Sequence, residues 1–202
     1  YASQSALRNF YTGHEQFFAT YAMMAYEFTK RWKVVGGSRI ETTDIYVVSK
    51  DQTLAPGKIN KISALPSLGL IFGVKKEVNL RINASRTLAR PNMREIAPYT
   101  ARNPANGQDW TGNPDLKMTN INNFDLRYEF FPKPGELIAV SAFYKQFFNP
   151  IVLQIFDNSS SQTIQYANSD KATLYGAEFE FRKGLDFISS KLKNFKFFLF
   201  DN

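Results

Sequence analysis

Apolar and polar side chains alternate residue by residue along several stretches of this chain. Successive side chains of a β-strand point to opposite faces, so this alternation predicts strands with one apolar and one polar face. Three stretches show it most clearly: Val78, Leu80, Ile82 and Ala84 alternate with Glu77, Asn79, Arg81, Asn83 and Ser85; Phe124, Leu126, Tyr128 and Phe130 alternate with Asn123, Asp125, Arg127 and Glu129; Tyr175, Ala177, Phe179 and Phe181 alternate with Leu174, Gly176, Glu178, Glu180 and Arg182.

The whole sequence contains about eight such extended segments. Many are longer than the usual strand of roughly five or six residues. They match the roughly 9–11 residues that a tilted strand needs to cross a bilayer. The segments are Glu15–Phe28, Trp32–Ser49, Leu65–Val74, Glu77–Ala89, Asn122–Phe131, Glu136–Phe148, Ala172–Lys183 and Asn194–Asp201.

The connections between the segments alternate between short and long. Thr29–Arg31, Lys75–Lys76 and Pro132–Gly135 are tight turns, whereas Lys50–Ala64, Arg90–Ile121 and Asn149–Lys171 are long and polar. Outer-membrane barrels have short periplasmic turns and long extracellular loops. A soluble sandwich also alternates but has no reason to keep this rhythm. The pattern therefore predicts an antiparallel transmembrane β-barrel, in which Glu15–Phe28 runs inward and Trp32–Ser49 runs outward.

Aromatic residues are abundant, with 19 Phe and 10 Tyr in 202 residues. Trp32, Phe72, Phe130 and Phe131 fall beside the short turns, where a periplasmic aromatic girdle is expected. The alternative is that they are ordinary strand aromatics.

One charged residue, Arg86, falls on the apolar positions of its strand. Either it reaches the head-group or lipopolysaccharide layer, or a β-bulge shifts the register there.

Composition removes several other classes of protein. No run of 18 apolar residues exists, so no transmembrane helix is predicted, and the absence of Cys excludes disulfides and thiolate metal sites. The net charge is +7, but the cations are scattered among 18 acidic residues and form no basic stripe with stacking aromatics. Nucleic acid is therefore not an expected partner. The sequence opens at Tyr1 without a signal-peptide pattern, so we expect a processed product or part of a longer protein.

Candidate catalytic groups are weak. His14 is the single histidine, no G-x-S-x-G elbow is present, and Gly36–Gly37 lacks the residues of a phosphate-binding loop. Glu178 and Glu180 lie on one strand face at a spacing of about 7 Å, which could suit a glycosidase pair. We favour the simpler interpretation that both point into a polar lumen beside arginines. The sequence therefore predicts no enzyme, no metal site and no cofactor.

The long connection Arg90–Ile121 is the best candidate for ligand binding. Polar side chains next to an aromatic ring can hold a sugar, a peptide or an anionic chelate at a barrel mouth. The alternative is a solvated loop without a ligand. The candidate ligand-binding residues are Arg94, Arg102, Asn106 and Trp110.

Several motifs, in this order, resemble the C-terminal half of the barrel of TonB-dependent outer-membrane receptors, especially the Bacteroidetes type. Pro91 and the Pro132–Gly135 turn also suit points where the chain must leave a sheet. The motifs are VGGSRIET (Val35–Thr42), LPSLGLIF (Leu65–Phe72), NLRINASRTLARPNMREIAP (Asn79–Pro98), GNPDLK (Gly112–Lys117), NFDLRYEFFPKPGELIAVSAFYKQFFNPI (Asn123–Ile151) and YGAEFEFRKGLDF (Tyr175–Phe187).

The resemblance implies a bacterial outer-membrane importer with a 22-stranded barrel around a plug. Residues 1–202 would then be one partial barrel domain of about eight strands, with the plug and remaining strands outside this sequence. The implied cargo is a scarce nutrient such as a siderophore, cobalamin, glycan or peptide. The implied partners are membrane lipid and lipopolysaccharide, the TonB complex acting through the plug region, and a surface lipoprotein or other outer-membrane protein.

Three alternatives stay open at this point. Eight strands can close into a small complete barrel with a structural or adhesion role. A membrane-embedded lipase would need His14 to activate a nucleophile. A soluble carbohydrate-binding sandwich would share the alternation. The ordered motifs favour the receptor.

Overall fold

A computed structural model of the chain describes residues 7–102, 107–158, 161–185, 188–189 and 195–201. Within these residues the chain forms twelve strands and one four-residue helix. Their bounds are β1 (Tyr11–Thr29), β2 (Trp32–Ser49), β3 (Gly57–Lys75), β4 (Val78–Ala89), α1 (Met93–Ile96), β5 (Thr100–Arg102), β6 (Asp109–Thr111), β7 (Thr119–Phe130), β8 (Leu137–Phe148), β9 (Ile151–Asn158), β10 (Ser161–Asn168), β11 (Lys171–Gly184) and β12 (Lys196–Asp201).

Eight long strands form one antiparallel sheet in the order β1-β2-β3-β4-β7-β8-β11-β12. This confirms the predicted all-β class and the predicted number of long strands. In the described part of the chain, β1 and β12 are the two edges and do not pair with each other. The alternative of a closed eight-stranded barrel is therefore not what the structure shows.

Directly paired residues of neighbouring strands lie on the same face of a sheet. The polar positions of the strands therefore line up on one face and the apolar positions on the other. Arg81 pairs with Arg127, Arg127 with Ser141, and Ser141 with Glu178. These residues define the polar face. The opposite, apolar face carries exposed hydrophobic side chains such as Ile82, Leu126, Val140 and Phe179. An apolar face that remains exposed over a whole sheet is unusual for a protein surface in water.

The register of β4 excludes one of the two interpretations of Arg86. β4 and β7 pair without interruption from Val78 opposite Phe130 to Ala89 opposite Thr119. The alternative of a β-bulge is therefore wrong, and Arg86 lies exposed on the apolar face, opposite Asn122.

Three predicted loops differ from the structure. The predicted connection Lys50–Ala64 is wrong, because β3 begins at Gly57 and only residues 50–56 join it to β2. The start of β3 escapes the pattern because Lys58 and Asn60 replace apolar residues on its apolar-face positions. The loops Arg90–Ile121 and Asn149–Lys171 contain α1 and a second sheet of order β5-β6-β10-β9, in which β6 and β10 run parallel.

These additional elements form a cap, defined here as α1, β5, β6, β9, β10 and their connections. The cap packs on the polar face at the end of the sheet away from the short turns. There the face becomes apolar and forms a buried core with the cap. The core residues are Ile45, Val47 and Ile59 from the sheet, with Ile96, Ala97, Tyr99, Leu116 and Met118 from the connection after β4.

The structure also bears on membrane-spanning helices and on metal sites. In the described ranges, no helix is long and apolar enough to span a membrane. The same ranges hold no group of three His, Asp or Glu side chains placed to bind a metal ion.

Asp51 anchors the connection between β2 and β3. It is buried, and its carboxylate accepts hydrogen bonds from the Arg8 Nε at 2.8 Å, the Thr53 hydroxyl at 2.7 Å and the Thr53 amide at 3.0 Å. The Arg8 hydrogen bond, supported by those from Thr53, lowers the pKa of Asp51 from 3.8 to about 2. A depressed carboxyl pKa stabilises the fold above the unfolded value, and this contribution is lost as the pH falls through the folded value.

We therefore expect Asp51→Asn to be less stable than the wild type above a pH of about 4, with the difference disappearing towards a pH of about 2. Urea unfolding midpoints measured across this range test it. Arg8→Gln should reproduce the loss at neutral pH because it removes the same ion pair. Parallel curves for Asp51→Asn and wild type over the whole range would contradict the assignment.

Candidate ligand-binding site in the cap

The cap is held in place by short polar contacts that begin at α1. Asn92 caps this helix: its Oδ1 accepts from the Glu95 amide at 2.9 Å, and the Glu95 carboxylate accepts from the Asn92 amide at 3.0 Å. This reciprocal pair is a capping box. The segment after β6 is also bound to α1, because the Asn113 backbone amide donates to the Glu95 backbone carbonyl at 2.7 Å.

Arg94 projects from α1 towards an aromatic group. Its Nε donates to the Tyr99 hydroxyl at 2.9 Å, and this hydrogen bond raises the pKa of Arg94. The Tyr99 ring lies 5.6 Å from the Tyr11 ring of β1, measured between centroids. Arg94 therefore links the helix to the core of the cap and retains its charge.

Trp110 belongs to the inward side of the second sheet. Trp110 pairs with Ala101 and lies on the same face of this sheet as Tyr166. Ala101 and Tyr166 both pack against the buried core. The Trp110 and Tyr166 rings lie 6.4 Å apart. Burial raises the pKa of Tyr166, with Tyr99 and Glu95 adding to the effect, so its phenol keeps its proton. Trp110 is half-buried, which leaves part of the indole open to a ligand.

Arg102 lies on the other face of the second sheet, because successive strand residues point to opposite sides. It pairs with Asp109, and its Nη1 is 3.9 Å from the Asp109 carboxylate. The Arg102 side chain is 68% exposed, so most of its hydrogen-bonding capacity faces solvent. Asn106, the fourth predicted residue, lies outside the described residues.

The predicted residues therefore do not form one cluster. Arg94 and Trp110 lie around Tyr99 and Tyr166, whereas Arg102 lies on the opposite face of the sheet. Sequence reasoning did not select Tyr99 or Tyr166. Tyr166 lies in the connection between β8 and β11, and its carbonyl accepts from the Asn113 side chain at 2.9 Å. Residues Asn113–Asp115 form an Asx turn, in which Asn113 Oδ1 accepts from the Asp115 amide at 3.0 Å.

A second polar site lies on the polar face nearer the short turns. Arg127 joins three strands: its guanidinium donates to Glu129 at 3.0 Å, to Glu180 at 2.6 Å and to Ser141 at 3.0 Å. Arg81 donates to Glu129 at 2.7 Å, and Arg182 donates to Glu180 at 3.1 Å. We call these five charged residues the wall network. Glu180 is thus held between two guanidinium groups, as expected for a residue beside arginines.

The family model described as "TonB dependent receptor-like, beta-barrel" matches residues 1–200. The chain belongs to the TonB-dependent receptor β-barrel family. The sequence motifs predicted this assignment, and the eight-stranded sheet agrees with it. No curated protein matches the sequence.

Solved structures of TonB-dependent receptors share the fold at low sequence identity. The siderophore receptor PirA from Pseudomonas aeruginosa has a TM-score of 0.60 at 15% identity, covering 87% of this chain and 41% of its own. The hemophore receptor HasR of Serratia marcescens, solved with its hemophore HasA and heme, has a TM-score of 0.71 at 13% identity, covering 84% and 32%. The copper transporter OprC has a TM-score of 0.63 at 14% identity, covering 86% and 27%.

This member of the TonB-dependent receptor family spans between about a quarter and two fifths of the length of four siderophore and enterobactin receptors with a similar structure. Barrels of the outer membrane carry an apolar band towards lipid and a polar interior. The two faces of the present sheet have these properties. The match therefore gives a physical reason for an apolar face that stays exposed in the isolated chain.

Proposed function

We propose that this chain forms part of the wall and extracellular ligand-binding loops of an outer-membrane importer of a scarce nutrient. The observation that carries the proposal is the position of the cap. It lies at the end of the sheet opposite the short turns and on the polar face, which is the interior face of a barrel of this family. Long loops folded over the interior can select what enters the lumen.

The sheet contributes further support. Its edges, β1 and β12, would continue into the remaining strands of a larger barrel, with residues 1–202 as one partial barrel domain. Trp32 and Phe72 stack at 4.3 Å on the apolar face beside the short turns. Phe130 lies on the same face, and Phe131 follows it. Aromatic rings at this level suit the periplasmic interface of the bilayer.

The importer proposal includes the partners and cargo expected from the family. Energy for transport would come from the TonB complex through a plug region. The proposed cargo is a small nutrient such as a siderophore, cobalamin, glycan or peptide. The structural neighbours add heme and copper to these candidates. Within the cap, Arg102 is the candidate for direct contact with a polar ligand, while Arg94 and Trp110 frame an aromatic surface. Asn106 completes the set of candidates.

Location and orientation are tested together by epitope insertion into the natural protein. We expect a tag after Ala55, in the connection between β2 and β3, to be labelled by antibody on intact cells. A tag within the Pro132–Gly135 turn should be labelled only after the outer membrane is opened. Labelling of both tags, or of the turn alone, on intact cells would contradict the orientation.

Transport is tested by Arg102→Ala in the same protein. We expect uptake of the cargo to fall by roughly tenfold, because one charge-assisted contact is typically worth about that much. The assay measures uptake of labelled ferric siderophores, heme, copper and cobalamin by cells that lack other receptors. Lys30→Ala removes an exposed cation in the β1–β2 turn and serves as the control. Uptake unchanged by Arg102→Ala, or absent for the wild type with every probe, would count against the proposal.

A further inference from the structure

The second sheet ends in an edge strand that no other described strand covers. β9 pairs with β10 along one side, from Ile151 opposite Asn168 to Asn158 opposite Ser161, and it stands last in the order β5-β6-β10-β9. Residues 152–156 are all exposed. In the part of the chain that the structure describes, the other side of β9 is therefore open to solvent.

The hydrogen bonds around β9 show which backbone groups point to the open edge. In an antiparallel pair, residues that exchange hydrogen bonds with the partner strand alternate with residues whose N–H and C=O point away from it. The Ser169 amide donates to the Pro150 carbonyl at 2.9 Å, so the odd-numbered residues of β9 point away from β10. The Tyr166 carbonyl agrees with this, because it accepts from a side chain beyond β6 at 2.9 Å although Leu153 is its partner on β9. Leu153 and Ile155 thus direct their N–H and C=O groups to the open edge.

The side chains beside this edge are apolar on both faces of the strand. Leu153 and Ile155 lie exposed on the inward face of the second sheet. Val152 and Phe156 lie exposed on its outward face. Proteins usually protect such an edge with charges, with proline or by making the strand very short. Residues 151–156 contain no charge and no proline, whereas the opposite edge strand, β5, has only three residues. β9 therefore has the properties of an edge that another strand joins.

The open edge continues the surface that carries the candidate ligand-binding residues. Trp110 pairs with Ile164 across β6 and β10, and Ile164 pairs with Ile155 across β10 and β9. These three residues therefore lie in one row on the inward face of the second sheet. A ligand on the β9 edge would extend this row, on the same side of the cap as the Trp110 indole. The edge thus belongs to the candidate site and is not a separate surface.

The dimensions of the edge favour a short peptide over a folded protein. Residues 152–156 form a strip one strand wide and about 17 Å long. Stable complexes of folded proteins bury roughly 800 Å² on each partner, which is far more than such a strip offers. An extended peptide needs no larger surface, because main-chain hydrogen bonds supply affinity and pockets for alternate side chains supply specificity. An uncharged peptide with apolar residues suits the apolar side chains beside the edge.

We propose that the cap binds an extended, uncharged peptide as a strand added to the open edge of β9, and that such a peptide is the cargo. The N–H and C=O groups of Leu153 and Ile155 form hydrogen bonds with the peptide backbone. Peptide side chains on the inward face lie beside the row that contains Trp110. This inference rests on the proposed importer function and narrows its cargo to one class.

The first experiment measures peptide binding by the purified natural protein in detergent. The probe is the end-blocked, fluorescently labelled peptide Ser-Val-Thr-Val-Thr-Val-Thr-Ser, and the readout is fluorescence anisotropy. Ile155→Pro removes the N–H that points to the open edge and leaves the hydrogen bonds to β10 in place. We therefore expect it to weaken binding by at least about tenfold. Ile155→Thr is the matched control, because it shortens the apolar side chain and keeps the N–H, and its binding should stay within about threefold of the wild type.

A second measurement uses the wild type alone and does not depend on the folding of a variant. The same peptide is N-methylated at two adjacent central amides, which blocks both of its edges, and we expect it not to bind. Equal binding of the plain and methylated peptides would overturn the proposal, because the contact would then not be a strand ladder. Equal binding of the plain peptide to wild type and Ile155→Pro would overturn it for the same reason.

The third measurement adds the plain peptide to the probes of the uptake assay. We expect the wild type to import the peptide, and Ile155→Pro to lower its uptake by roughly the factor by which it weakens binding. Binding without uptake would overturn the assignment of a peptide as the cargo. Uptake of a ferric siderophore without binding of the peptide would overturn this inference and leave the importer proposal standing, so the two failures can be distinguished.

Discussion

Arg127→Ala is expected to lower the free energy of unfolding by about 2–3 kcal/mol. Breaking a buried ion pair typically costs about 3–5 kcal/mol because it leaves uncompensated charge. The Arg127 side chain is 27% exposed, so solvent offsets part of this cost, whereas Glu129 and Glu180 are only 8% and 15% exposed. Without Arg127, Glu129 still pairs with Arg81 and Glu180 with Arg182, but the side-chain contacts that join β7 to β8 and β11 are lost. Urea unfolding of the natural protein in lipid vesicles measures the effect.

The matched control is Glu27→Ala, which removes the exposed pair between Glu27 and Lys33. These side chains are 68% and 43% exposed, and such surface pairs contribute about 0–1 kcal/mol. A double-mutant cycle between Arg127 and Glu180 should give a coupling energy of at least about 1 kcal/mol. Equal effects of Arg127→Ala and Glu27→Ala would show that the wall network does not stabilise the sheet.

The long strands could be predicted because their alternation is a local property of the sequence. β2 has the predicted bounds, Trp32–Ser49, since a tight turn precedes it and its pattern runs to its end. β3 was predicted too short because the polar Lys58 and Asn60 occupy positions on its apolar face. Without apolar residues at these positions, the apolar half of the alternation is missing there.

The cap could not be predicted from local pattern. β5 and β6 have three residues each, too few for a periodic signal, and the parallel pairing of β6 with β10 joins positions as distant as Trp110 and Ile164. Only α1 carried a readable signal, the Asn92-x-x-Glu95 capping box. The cap strands are stabilised by packing on Ile45, Val47 and Ile59, which is a tertiary effect.

The candidate site shows the same limit. Residue types suggested Arg94, Arg102 and Trp110 as candidates. The face on which each lies depends on the pairing between strands of the connection after β4 and strands of the connection after β8. Tyr166 comes beside Trp110 only because β10 joins β6. Residue types can therefore suggest a binding loop, while the grouping of its side chains needs the structure.

Gly112→Ala is expected to detach the cap from the sheet and to abolish cargo uptake, with the barrel wall left folded. A Cβ at Gly112 would clash with the backbone oxygen of Ala97 and lie 2.9 Å from the Arg94 carbonyl oxygen. Backbone atoms cannot move aside as a flexible side chain can. Relieving the clash would break the hydrogen bond from the Gly112 amide to Tyr99 and the adjacent one from Asn113 to Glu95. Cleavage of residues 90–118 by external protease on intact cells measures the detachment.

Gly73→Ala is the matched control, because the nearest atoms to its added Cβ are Arg31 atoms at 3.7 Å, an ordinary contact distance. It should leave both protease resistance and uptake unchanged. A folded wall is checked by the retention of heat-modifiable migration on gels for both variants. If Gly112→Ala left the cap resistant to protease and uptake intact, the close approach between Gly112 and the chain after α1 would not govern the position of the cap. If it abolished wall folding as well, the cap would be part of the folding core of the sheet rather than a unit docked on its polar face.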